Sequence, residues 1–204
     1  MKKIMFNDKY GLTQAVLDGR KTMTRRLIPK VGDVNDINWG IGNNGKTMIT
    51  IEALSLDGLM TEDIYPQYQV GDVVAVAQAY KELYPNADFR MVGDEFMTES
   101  VGWSNKMFVK ANLMRHHIKI TDIKVERLQD ISDEDLEKEG VETRRYENSG
   151  NEYVFYHPNP YRNGNWGYVH YHSLQEASQS FFDNICGKGT WERNPWVFVY
   201  EFEL

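Results

Sequence analysis

Apolar positions along this chain fall mostly into short alternating runs, the spacing of half-buried strands, with a few stretches at helical spacing between them. Alternation and β-branching predict strands at residues 2–6, 47–54, 72–77, 107–112, 117–127 and 196–202. Leu12, Val16 and Leu17 share a face at helical spacing and predict a helix over 11–18, ended by Gly19 in a left-handed cap. Ser132 ahead of Asp133, Glu134 and Asp135 carries the hydroxyl cap and first-turn acids of a second helix, which Gly140 ends. Leu174, Ala177, Phe181 and Ile185 lie on one stripe of a third, over 173–185. The loop residues Gly40, Gly42, Asn43, Asn44 and Gly45 precede the strand at 47–54. Short strands with two or three inserted helices predict an α+β, β-dominated fold, a small β-barrel or curled sheet instead of a βαβ array.

At 204 residues the chain fits one domain spanning 1–204, with a sizeable core and generous loops. Residues 142–172 read as a long aromatic insertion or lid, with Tyr146, Tyr153, Phe155, Tyr156, Tyr161, Trp166, Tyr168 and Tyr171 set among Asn, Gly and Pro. Two readings of it stand side by side. In one, exposed rings beside Arg144, Arg145 and Arg162 stack on a base. In the other, the rings of a hairpin pack onto the body of the fold.

A formal charge of −7 argues against a protein that coats nucleic acid through bulk electrostatics, and makes duplex DNA an unexpected partner. Distribution changes the picture more than the sum. Residues 20–30 hold Arg20, Lys21, Arg25, Arg26 and Lys30 with no acid, whereas 130–142 hold seven acids against Lys138. Such a surface can hold a short anionic ligand locally while repelling long duplexes elsewhere. Absence of a bilayer-length apolar run and of a signal-peptide pattern predicts a cytoplasmic protein without a membrane partner. The single Cys186 excludes an internal disulfide and a paired-cysteine metal site, and reads as a partly buried thiol. His116 and His117 would point to opposite faces of a strand, and His170, His172 and Glu176 match no zinc signature, so neither a metal nor a cofactor is expected.

The stretch Gly19-Arg20-Lys21-Thr22-Met23-Thr24-Arg25-Arg26 packs four cations and two hydroxyls into eight residues. In a regular strand Lys21 and Thr24 would face opposite sides, so their joint use at one site requires a turn or bulge. The spacing Gly-x-Lys-x-x-Thr-x-Arg, carried by Gly19, Lys21, Thr24 and Arg26, resembles the signature of the ASCH family, small relatives of the PUA-like barrels linked with RNA. Later elements resemble that family in order: Tyr68 to Val76 around Gly71-Asp72, Ile118 to Leu128 followed by the acidic helix and Glu139-Gly140, and Trp191 to Phe202, similar to the closing strand of many phage and bacterial members.

The resemblance implies a PUA-like barrel and one of two activities. Family members that hydrolyse acetylcytidine use a Thr hydroxyl to attack an amide carbonyl, aided by a desolvated lysine, roles that fall on Thr24 and Lys21. They are expected to place a Glu shortly after the Gly-Asp strand, where this chain has Val76-Ala77-Gln78-Ala79-Tyr80. Gln78 cannot transfer a proton near neutral pH, although it can read a base edge, and Glu82 is the nearest substitute. The favoured expectation is therefore an RNA or nucleotide binding module in which Gly19, Arg20, Lys21, Thr24, Arg25, Arg26, Gln78 and Tyr80 form the site. Hydrolysis of a modified nucleoside, a ribonuclease activity, and protein interaction through the acidic helix stand as alternatives.

Overall fold

The computed structural model describes residues 1–28, 37–55, 58–146, 150–158 and 166–204. It is a mixed α+β, strand-rich fold. The principal sheet has five strands: β1 (Lys3–Ile4), β2 (Met23–Leu27), β6 (Val73–Val76), β9 (His117–Arg127) and β13 (Trp196–Glu203), in the order β1-β6-β9-β13-β2. β1 runs parallel to β6 and every other pairing in this sheet is antiparallel, so the first and last strands of the chain belong to one sheet. Val197, Phe198, Val199 and Tyr200 of β13 are all buried, which is why this strand reads as a continuous apolar run.

The sheet keeps two edges, and among the described residues no ladder joins β1 to β2 into a closed barrel. At the β2 edge the outward backbone groups are met by side chains: Lys21 Nζ donates to the Met23 carbonyl at 2.7 Å, and the Arg25 amide donates to Glu139 Oε1 at 2.7 Å. A strand edge satisfied in this way offers little to a further strand.

Two smaller antiparallel sheets flank the first. One is β3 (Ile37–Ile41), β4 (Thr47–Ser55) and β5 (Gly58–Ile64); the strand assignment reaches Ile41, so only Gly42 to Gly45 of the expected loop form the turn. The other is β10 (Glu142–Tyr146), β11 (Gly150–Pro158) and β12 (Trp166–Tyr171), which occupies the expected aromatic insertion. Three of its rings pack inward: Phe155 stacks on Tyr171 at 5.6 Å and meets Phe181 edge-on at 5.3 Å, and Tyr153 donates to Asp133. Tyr168 is exposed, while Lys30, Tyr161 and Arg162 lie outside the described residues.

The helices α1 (Leu12–Leu17), α3 (Asp133–Lys138) and α4 (Leu174–Cys186) lie where periodicity predicts them, with Ser132 Oγ capping α3. Short helices α2 (Tyr80–Leu83) and α5 (Thr190–Arg193), and the hairpin of β7 (Met91–Val92) and β8 (Glu95–Phe96), complete the fold. The strand expected at 107–112 is instead two 3-10 turns, Lys106–Phe108 and Ala111–Leu113. The Lys3 ammonium explains the difference: it gathers the carbonyls of Lys106, Met107 and Val109 at 3.1, 2.6 and 2.7 Å, a convergence that an extended strand does not permit. No helix among the described residues is long and apolar enough to cross a membrane.

Candidate functional site

Lys21 lies in the turn between α1 and β2, ahead of the strand itself, so strand parity does not separate it from Thr24. The turn is closed by the Arg20 and Lys21 amides, both donating to the Ala15 carbonyl at 2.9 Å, with Gly19 in the left-handed conformation at φ 71°. From there Lys21, Thr24, Arg25 and Arg26 reach a cavity of about 390 Å³. Phe6 and Leu12 line it together with Phe181, Phe182 and Ile185 of α4, and Asn7, Glu139 and Cys186 add to its polar lining.

Glu139 is the residue that sequence reading missed as a site member. It follows α3 at the end of the acidic run, and Gly140 behind it adopts φ 101° where the chain leaves α3 for β10. Its Oε2 accepts from Lys21 Nζ at 2.6 Å, and both side chains are almost wholly buried, at 1% and 3% exposure. Lys21 Nζ also donates to the carbonyls of Glu139 at 2.8 Å and Met23 at 2.7 Å, so all three ammonium donors are engaged. Burial holds the Lys21 amine below the usual lysine range; Glu139 works against this, and Arg26 and Arg25 reinforce it.

Arg25 stands behind Glu139. Its guanidinium bonds Glu126 Oε1 through Nε and Nη2 at 3.0 and 2.5 Å, Asp135 Oδ2 at 2.6 Å, and Glu139 Oε1 at 3.3 Å. Lys124 adds a cation to Asp135 and Glu126 at 3.1 and 3.0 Å. Burial opposes the Arg25 charge, yet Glu139 and Glu126 hold its pKa above the ordinary value. Three carboxylates therefore face three cations, and Arg25, expected to bind ligand, is committed to organising this network.

The remaining expected site residues separate. Arg26 and Thr24 line the cavity; Arg26 lies over the Phe6 ring at 5.8 Å, donates to the Met5 carbonyl at 2.7 Å, and has no carboxylate partner among the described residues. Arg20 is exposed, pairs with Asp18 at 3.2 Å, and lines a different cavity with Arg145 and Thr143. Gln78 does not line the Lys21 cavity: it is buried beyond β6, its amide N–H meets Met114 Sδ at 3.2 Å, and its Oε1 has no hydrogen-bond partner among the described residues. Tyr80 packs in a second apolar cluster with Leu83, Ala87 and Met97. Glu82 caps its own helix by accepting from the Ala79 amide at 3.1 Å. The reason is topological, since β6 is separated from β2 by β9 and β13.

Burial pushes the Cys186 thiol up to about 11, which suits an inert wall and not a nucleophile. Among the described residues no group of three or more His, Cys, Asp or Glu is placed to hold a metal ion. Compared with family models, with curated proteins and with solved structures, the chain matches none of them.

Proposed function

We propose that this chain is an ASCH-type domain of PUA-like descent, and that its Lys21–Thr24–Glu139 cavity hydrolyses the amide of an N-acylated nucleoside such as acetylcytidine. The observation that carries the reading is the Lys21–Glu139 contact at 2.6 Å beside Thr24 in one cavity. It supplies the carboxylate that the Gly-Asp strand lacks. The cavity is of the size that takes a small ligand, and its apolar wall of Phe181, Phe182 and Ile185 suits a flat base.

The chemistry follows from burial. Burial disfavours the charged form of Lys21, and Glu139 Oε2 at 2.6 Å is the acceptor to which Nζ gives a proton as it becomes the amine that acts on Thr24. Thr24 Oγ adds to the acyl carbonyl carbon as its proton moves to that amine. The resulting ammonium returns the proton to the departing exocyclic nitrogen as the C–N bond breaks, leaving an acyl ester on Thr24. Water adds to the ester, gives a proton to Lys21, and the carboxylic acid departs with Thr24 restored. Arg26, free of any carboxylate among the described residues, faces the charge that develops on the carbonyl oxygen.

A second reading, an RNA or nucleotide binding module, is favoured by the saturation of Lys21: with its three donors used, Thr24, Arg26 and Asn7 are left to hold ligand. Incubation with acetylcytidine and chromatographic detection of cytidine separates the two. Release of cytidine by wild type but not by Thr24→Ala supports hydrolysis, and saturable binding without release supports the module.

A further inference from the structure

Between β6 and β9 the chain makes an excursion, residues 80–114, with its own apolar cluster of Tyr80, Leu83, Ala87, Met97, Val109 and Met114. A cavity of about 420 Å³ opens on it, lined by both Tyr80 and Tyr84, by Arg90 and Lys110, and by apolar residues and Asn112. Among the described residues no acid lines it, in a chain of net charge −7. Neither Arg90 nor Lys110 forms an ion pair among the described residues. Arg90 lies over the Tyr84 ring at 4.8 Å, and Arg115, whose Nη2 donates to the Leu83 carbonyl, lies over the same ring at 5.7 Å. Next to Arg90, Phe89 is 90% exposed, a large apolar ring held in water. The acids of this excursion, Glu82, Asp88, Asp94, Glu95 and Glu99, are exposed and lie outside the lining.

We infer that this cavity is a second ligand site, independent of the Lys21 cavity, for a nucleoside phosphate, presented as one unit of single-stranded RNA or as a free nucleotide. Arg90 and Lys110 supply uncompensated donors for a phosphate, and guanidinium geometry suits two of its oxygens. Tyr84 with its flanking guanidinium, and the exposed Phe89 ring, supply planar faces on which a base stacks without sequence readout. An acid-free lining matters because a carboxylate beside the phosphate would cancel much of the attraction.

Fluorescence anisotropy with fluorescein-labelled oligouridylate of ten nucleotides tests this across a salt series, with UMP as competitor. Arg90→Gln/Lys110→Gln is expected to weaken binding and to flatten the slope of log K against log salt by roughly 0.7, the share of the one single-strand phosphate that the variant no longer neutralises. Tyr84→Leu is expected to weaken binding roughly 5- to 100-fold, the range of one base stack. Displacement of the oligonucleotide by UMP alone identifies a mononucleotide site, and dependence on strand length identifies RNA. Thermal melts of the exposed double variant check that its fold is kept. Wild-type affinity and slope in the double variant, or no binding by wild type at low salt, would overturn the assignment.

Discussion

Lys21 Nζ and Glu139 Oε2 meet at 2.6 Å across 118 residues of sequence, and neither side chain has appreciable contact with solvent. One partner alone would be an uncompensated buried charge. Glu139→Ala is accordingly expected to destabilise the protein by about 3–5 kcal/mol, the cost of breaking a buried pair from one side. Urea denaturation measures it, and a loss below about 1 kcal/mol would mean that water already reaches the pair.

Burial also separates two neighbouring arginines. Arg25→Met leaves Glu126 and Asp135 with Lys124 as their only cation among the described residues and removes a donor from Glu139, so a loss of several kcal/mol is expected. Arg20→Met touches an exposed pair with Asp18 and is expected to cost less than about 1 kcal/mol. Denaturation midpoints of the two variants, compared side by side, check the contrast; equal losses would contradict the burial difference.

Local features of the sequence were readable where one segment carries its own reason. Ser132 caps α3, Gly19 turns the chain after α1, and the stripe of Leu174, Ala177, Phe181 and Ile185 marks α4. The Lys21–Glu139 pair was not readable, because no period or spacing records which acidic residue a distant lysine meets. Its only trace was a matched pair of oppositely charged runs. The family resemblance implies an acid at the position of Gln78, whereas β9 and β13 lie between β6 and β2 in the sheet. The turns at 106–113 escaped for a similar reason: the ammonium that bends them belongs to Lys3.

Acid sensitivity should trace to Asp135. Desolvation works to raise its pKa, but Lys124 and Arg25 hydrogen bonds hold it below the usual carboxylate value. A depressed folded pKa stabilises the protein above the unfolded value of about 3.9, and that contribution disappears as pH falls through the lower folded value. Denaturation midpoints followed from neutral pH into this window should drop for wild type and drop less for Asp135→Asn. Parallel acid limbs would assign the titration elsewhere.

Cys186 provides a probe of the cavity wall. With its thiol at about 11 instead of 9.0, the thiolate fraction at pH 8 is roughly a hundredfold below that of an ordinary thiol. Iodoacetamide should label the native protein slowly at pH 8 and rapidly once urea unfolds it. Equal rates would mean that the wall between Phe182, Ile185 and Cys186 stands open.

Turnover of acetylcytidine to cytidine in three proteins decides whether Glu139, and not position 78, supplies the carboxylate for amide hydrolysis. Wild type should turn over, Glu139→Gln should lose about a hundredfold or more in kcat, as expected for a positioned acid–base group, and Gln78→Glu should gain nothing because it does not line the cavity. A wild type that binds acetylcytidine without releasing cytidine, or an undiminished Glu139→Gln, would contradict hydrolysis through Glu139.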